Sequence, residues 1–184
     1  LGTDHGAILR LLNERHSDVI FRFCHMNPIS LDSPLPPPVG VQLNMYGLLR
    51  PQEGAKTAAV NFIGNMVPID SQSEIFALLG TLGITATRHI SQYTSFEAWQ
   101  EMANSRLNIV LLPMGMRAAQ DMESRLAIPY LNLPVSYDPD GVLQTYNRLA
   151  EALGQPLMSD LSSYYQQAVT RLKETAKKSE AKRS

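Results

Sequence analysis

The side chains best suited to binding or redox chemistry follow short apolar runs of strand length. They comprise one thiol, two imidazoles, two amides and three thioethers: Cys24, His25, Met26, Asn27, Asn65, Met66, His89 and Met114. In an open parallel sheet, ligands bind beyond the carboxyl ends of the strands. Since soft thioethers suit a large planar or cluster-type surface, we predict that these side chains line one cofactor-binding cavity.

Each of these residues also has a simpler interpretation. Cys24 and His25 could form a metal pair or a nucleophile with its base, but adjacent residues on an extended segment point to opposite faces, which favours a packing role. For His89, which closes a strand, a hydrogen-bonded packing role is favoured over catalysis. Methionines fill irregular gaps in cores, and asparagines close turns.

Composition and motifs exclude several other classes of protein. The 16 Lys and Arg against 17 Asp and Glu give a net charge of −1, so no overall field attracts nucleic acid or a membrane. No apolar run approaches the roughly 20 residues that span a bilayer. The single cysteine excludes a disulfide framework and a multi-cysteine metal site within this chain, and it favours a reducing, cytoplasmic compartment. Motifs for nucleotide, zinc and serine-hydrolase sites are missing as well.

The pattern in the first part of the chain predicts an incomplete α/β unit. Asp4 caps a helix over residues 5–15, and the β-branched and aromatic run 18–23 predicts a strand. The prolines within residues 29–39 predict a loop or an extended connection. A short helix over residues 41–49 comes next.

From residue 56 onward, strand-length and helix-length segments alternate. The predicted strands span residues 58–63, 84–89, 107–112 and 128–133, and the predicted helices span 71–82, 95–105, 116–126, 138–153 and 158–178. One helix between consecutive strands predicts right-handed crossovers and a parallel sheet. Gly83 is predicted to end the helix that precedes it.

The fold class is therefore α/β, with a Rossmann-like parallel four-stranded sheet and flanking helices, preceded by part of another α/β domain. We expect residues 1–53 to be the C-terminal part of a first domain with its Pro-rich connection, residues 54–155 to form the Rossmann-like domain, and residues 156–184 to form a long helix with a basic tail. Because the chain opens on Leu1 rather than Met, we expect a processed product or an excised piece.

Three stretches together resemble the nitrogenase component 1 family of oxidoreductases. The sequence LGTD at residues 1–4, a helix, and VIFRFC at 19–24 are similar to the family's G-D-D helix and its strand ending in cysteine. The sequence VNFIG at 60–64 resembles the opening of the family's second Rossmann-like domain. LNIVLLP at 107–113 and IPYL at 128–131 are similar to the family's "LNLV" and "GIPY" strands, in the same order and spacing.

This resemblance implies a nitrogenase-like oxidoreductase subunit that houses an iron–sulfur metallocofactor or a tetrapyrrole. It also implies two partners: a homologous component 1-type subunit, in a homo- or heterodimer, and an ATP-dependent iron–sulfur reductase that supplies electrons. A non-catalytic cofactor-assembly or carrier scaffold and a subunit-interaction domain are the alternatives.

Departures from the family pattern bear on activity. The family's upstream cluster-ligating cysteine would precede Leu1, and the position of the nitrogenase cofactor cysteine matches Leu112, which cannot ligate a metal. By the same resemblance, we expect the family's third Rossmann-like domain to have no counterpart after Ser184. We therefore expect the subunit to be inactive as this isolated fragment, with its cofactor chemistry partly supplied by residues outside it.

Overall fold

The structure, a computed structural model, describes residues 3–24, 35–156 and 160–181. The strands are β1 (Ala59–Ile63), β2 (Ala86–Arg88), β3 (Leu107–Val110) and β4 (Tyr130–Asn132). The helices are α1 (His5–Arg15), α2 (Pro37–Tyr46), α3 (Glu74–Thr81), α4 (Phe96–Trp99), α5 (Met116–Leu126), α6 (Pro139–Ala152) and α7 (Asp160–Ala181). Short 3₁₀ turns span Ile90–Gln92, Gln100–Asn104 and Pro113–Gly115.

The four strands form one parallel sheet in the order β2-β1-β3-β4. The chain passes from β1 to β2 on one side and then returns across β1 to β3 and β4 on the other side. The direction of winding therefore reverses between β1 and β3, which makes their carboxyl ends the topological switch point of the sheet. The predicted Rossmann-like parallel four-stranded sheet with flanking helices is confirmed.

Side chains on the two central strands alternate between two cores. Val60 and Phe62 belong to a cluster with residues of α3 and α6, whereas Ile63 belongs to a cluster with residues of α2 and α5. Every residue of β1 and β3 is buried. A strand that is covered on both faces is apolar nearly throughout. This is why the sequences of β1 and β3 are nearly continuous apolar runs and do not alternate between apolar and polar residues.

One buried polar network interrupts the apolar strands. Asn61 Nδ2 donates to Asn108 Oδ1 at 2.8 Å and to the Met102 carbonyl oxygen at 2.9 Å. The Ser105 hydroxyl donates to Asn61 Oδ1 at 2.7 Å. Asn61 and Asn108 are also register partners between β1 and β3. Because a slip of one residue would leave these buried groups unpaired, the network helps to specify the register of the central pair.

The strand predicted over residues 18–23 is wrong. The structure gives these residues turn and irregular backbone, with Val19 46% and Ile20 45% exposed. A strand needs a neighbouring strand to satisfy its N–H and C=O groups, and the described residues offer none here. The β-branched pattern alone could not report that missing neighbour.

The predicted Pro-rich connection is partly wrong. Helix α2 begins at Pro37, inside the stretch 29–39 that was predicted to be loop, and it ends at Tyr46. Proline is tolerated in a first helical turn, since the N–H that it lacks has no intrahelical partner there and its φ is already suitable. Residues 29–34 lie outside the described residues.

The remaining elements follow the predictions with shifted bounds. Helix α1 is capped as predicted, because Asp4 Oδ1 accepts from the Ala7 N–H at 2.9 Å. Gly83 adopts a φ of +80° beyond α3, so the predicted helix stop is confirmed. The helix predicted over 95–105 is α4 followed by a 3₁₀ turn. The division of the chain at residue 54 stays a prediction.

Candidate functional site

Four loops follow the strands at their carboxyl ends, and together we call them the carboxyl edge. They span residues 64–68, 89–92, 111–115 and 133–136. At the switch point the loops after β1 and β3 touch backbone to backbone. A Cβ atom on Gly115 would lie 2.6 Å from Gly64 Cα, and one on Gly64 would lie 2.7 Å from the Leu112 carbonyl oxygen. Gly64 also has a φ of +97°, which other residues rarely adopt. Glycine at both positions therefore allows this contact.

The loop after β1 presents an amide and two apolar side chains. Asn65 Nδ2 donates to the Val67 carbonyl oxygen at 2.6 Å and so closes the loop on itself. Met66 is 52% exposed and Val67 is 73% exposed. The thioether of Met66 accepts a hydrogen bond from Gln42 Nε2 on α2 at 3.1 Å. Helix α2 thus borders the carboxyl edge at the switch point.

His89 ties the loop after β2 to the loop after β1. Its ring is buried, with Nε2 3.1 Å from the Asn65 carbonyl oxygen and Nδ1 2.7 Å from the Ser91 hydroxyl. A carbonyl oxygen only accepts, so Nε2 carries a proton. Nδ1 also accepts from the Ser91 N–H as the cap of the turn Ile90–Gln92. His89 therefore positions Asn65, as in the packing interpretation that its place at a strand end favoured.

Cys24 lies apart from this contact network. Its half-buried thiol accepts from Asn44 Nδ2 at 3.2 Å, and the same amide nitrogen donates to the Phe23 carbonyl oxygen at 2.9 Å. Asn44 follows Gln42 by two positions on α2, so the two side chains leave the helix on different faces. The other predicted residues of this segment, His25, Met26 and Asn27, lie outside the described residues.

The loop after β3 contributes Leu112 and Met114. Leu112 is 38% exposed, and Met114, in the 3₁₀ turn Pro113–Gly115, is half-buried. This turn packs against α2. The structure therefore brings Asn65, Met66, His89 and Met114 to one edge of the sheet.

Exposed apolar side chains continue along the same edge. Besides Met66, Val67 and Leu112, the loop after β4 exposes Val135 by 63%, and Tyr137 beyond it by 95%. Large apolar side chains exposed together mark binding surfaces more often than ordinary solvated surface. A shallow groove of about 520 Å³ adjoins this edge and is lined by Pro68, Ile69, Asp70, Ser71, Phe76 and Gln92.

The donor set at the carboxyl edge does not suit ligation of a metal. Within residues 3–24, 35–156 and 160–181, no three His, Cys, Asp or Glu side chains come close enough together to hold a metal ion. Thioethers and amides dominate instead. The edge offers contact to a large apolar group, and the described residues bring no set of three such ligands together.

Two features of the site were missed by sequence reasoning. Gln42 is 1% exposed and contacts Met66, yet it lies 24 positions away along the chain. Its signal was the presence of a long polar side chain in the mostly apolar helical stretch 37–46. The Gly64–Gly115 contact carried only the signal of two lone glycines after strands, since the approach of two distant backbones has no local pattern.

The decisive comparison is with protein-family models. The model of the nitrogenase component 1 type oxidoreductases matches residues 1–184. The chain belongs to this family. Comparison with curated proteins and with solved structures gives no significant match. The resemblance drawn from motifs within residues 1–155 is confirmed, and the family match also covers α7.

Membership of the nitrogenase component 1 family directs attention to Leu112 on the carboxyl edge. Leu112, for which the motif resemblance predicted the position of the family's cofactor cysteine, is 38% exposed on the carboxyl edge, and that correspondence stays a prediction. None of the helices in the described parts of the chain is long and apolar enough to span a membrane.

Proposed function

We propose that the carboxyl edge forms one wall of the cavity in which a nitrogenase-like subunit houses a metallocofactor or a tetrapyrrole. The observation that carries the proposal is the exposure of Met66, Val67 and Leu112 at the switch point, where ligands of parallel sheets bind. These three side chains expose thioether and aliphatic surface that a bulky, flat group would cover.

The described residues suit a group that is held by packing. The Gly64–Gly115 contact leaves no space between the loops after β1 and β3, so the bound group lies over the edge rather than between the loops. No set of three metal ligands is present among the residues described, so these residues alone would not hold an iron–sulfur cofactor. A tetrapyrrole makes the smaller demand on this chain, since a macrocycle needs mainly an apolar wall.

Electron transfer is the second part of the proposal. Family membership supports a subunit that pairs with a homologous component 1-type subunit and accepts electrons from an ATP-dependent iron–sulfur reductase in the cytoplasm. In this arrangement the 184 residues supply part of the cavity wall, while the complete assembly supplies the route for electrons.

Leu112 favours one alternative, a scaffold that carries a finished cofactor without turning it over. A leucine at the position of a ligating cysteine can contact a cofactor but cannot hold it by a metal bond. Substrate reduction by the complete protein with its reductase partner would exclude the scaffold. A subunit-interaction domain, the third possibility, requires affinity for a partner subunit in size-exclusion chromatography.

The cavity wall can be tested on this chain by titration with metal-free protoporphyrin, followed by absorption. We expect saturable binding that Leu112→Asp weakens at least about tenfold, because the new carboxylate would lose hydration against an apolar group. The matched control is Leu172→Asp, which changes an exposed leucine of α7. Absence of binding, or equal weakening by both variants, would contradict the proposal.

A further inference from the structure

Two side-chain oxygens, one in the carboxyl edge and one on the neighbouring helix α2, lack hydrogen-bond partners. They are Gln42 Oε1 and Asn65 Oδ1, and both atoms are buried. Gln42 as a whole is 1% exposed. Most buried polar atoms in folded proteins are paired, so each exception calls for a physical explanation.

The chemistry of their neighbours identifies both atoms as oxygens. The amide group of Gln42 faces the Met66 thioether, and the amide group of Asn65 faces the Val67 carbonyl oxygen. A thioether and a carbonyl oxygen only accept hydrogen bonds. Each amide must therefore direct its nitrogen to that neighbour. The unpaired atoms are hydrogen-bond acceptors.

Met66 links the two residues that carry these acceptors. It follows Asn65 directly, and its sulfur bonds Gln42 at 3.1 Å while about half of its side chain faces solvent. Methionine has three rotatable bonds, and its sulfur is a weak acceptor. Rotation about these bonds would break the weak hydrogen bond and uncover the Gln42 amide.

We propose that Gln42 and Asn65 form an acceptor corner, covered by Met66, which recognises an N–H or O–H group of the molecule bound at the carboxyl edge. The corner suits ammonium, amide or hydroxyl groups. Carboxylates, keto oxygens and inorganic sulfides only accept hydrogen bonds, and they would leave both oxygens unpaired. The identity of the bound molecule rests on the proposed function, whereas donor recognition rests on the amides alone.

Methylammonium chloride is the probe for this corner, and tetramethylammonium chloride, which has the same charge but no N–H group, is its control. At equal ionic strength, ten times the Kd of methylammonium should raise the Tm of the chain by about 3–5 °C. Tetramethylammonium and potassium should leave it unchanged. An equal effect of tetramethylammonium or potassium would overturn donor recognition.

Three variants locate the effect. Gln42→Leu should abolish the rise in Tm, and Met66→Ala should lower the Kd of methylammonium at least about threefold by removing the cover. Gln155→Leu changes an exposed glutamine outside the carboxyl edge and should have no effect. A rise in Tm that persists in Gln42→Leu would place the probe elsewhere and overturn the assignment.

The outcomes separate this inference from the proposed function. If protoporphyrin fails to bind while methylammonium still acts through Gln42, the cavity proposal fails and the acceptor corner stands. If protoporphyrin binds and methylammonium has no effect on Tm, the corner fails and the cavity proposal stands.

Discussion

Replacing Gly115 by alanine tests the contact that closes the switch point. Gly115 has a φ of −83° and a ψ of −11°, so its backbone suits any L-residue. Only the available space opposes the change, because the added Cβ would lie 2.6 Å from Gly64 Cα and 2.7 Å from Gly64 N. Both atoms belong to the backbone, so β1 and the turn after β3 must move apart.

The expected magnitude is the difference between two opposing effects. Overpacking a close contact costs about 1–3 kcal/mol, whereas replacing glycine at a compatible φ stabilises by about 0.4–1 kcal/mol through the unfolded state. The free energy of unfolding should therefore fall by about 1–2 kcal/mol, which corresponds to a Tm lowered by about 2–8 °C. The affinity for protoporphyrin should fall as well, because the two loops no longer meet.

Urea-induced unfolding, monitored by circular dichroism with equal m values, measures this change. The control is Gly80→Ala in α3, where an added Cβ would meet nothing within 4 Å. It should stabilise the chain by up to about 1 kcal/mol, because alanine is the better helix former. A Gly115→Ala variant as stable as the parent chain would refute the argument from close approach.

Three further changes have expected outcomes. Tyr46→Phe should be neutral or stabilising in urea unfolding, because it removes a buried hydroxyl without a partner. His89→Phe should lower the free energy of unfolding by about 1–3 kcal/mol, because the carbonyl oxygen of half-buried Asn65 and the N–H of Ser91 lose their partner; unchanged stability would contradict the positioning role. Burial and a hydrogen bond to Glu74 raise the pKa of Tyr146, so the stability that it contributes is present below about pH 10 and is lost above it as the unfolded chain ionises. Tyr146→Phe should flatten that alkaline decline, as measured by Tm against pH.

The sheet was predictable because its pattern is local. The apolar runs that became β1 and β3 lie between amphipathic stretches of helical length, and that alternation is enough to specify a parallel sheet. The bounds of α5, Met116–Leu126, agree with the predicted 116–126 because its apolar face is strongly periodic. Gly83 marked a helix end through its own backbone preference.

Two predictions of secondary structure were wrong, because one element needs a distant pairing partner and the other begins with a proline in its first helical turn. Residues 18–23 have the composition of a strand, but pairing is a property of two segments. Pro37 starts α2 because a first helical turn accepts proline, whereas the run of prolines around it suggested a loop.

The candidate site was only partly predictable, for the same reason. Topology placed Asn65, Met66 and Met114 correctly at strand ends. Gln42 reaches them from α2, and the Gly64–Gly115 contact requires the folded backbone. Sequence reasoning therefore found the edge of the sheet but not the helix that borders it.

Methionine methyl NMR can show whether the carboxyl edge binds a large apolar group. With ¹³C-labelled methionine methyl groups, titration with metal-free protoporphyrin should shift the signals of Met66 and Met114. The signals of Met102 and Met122, which are fully buried in the core cluster that also contains Tyr46 and Ile63, should stay in place. Unchanged Met66 and Met114 signals at saturating protoporphyrin would contradict the account.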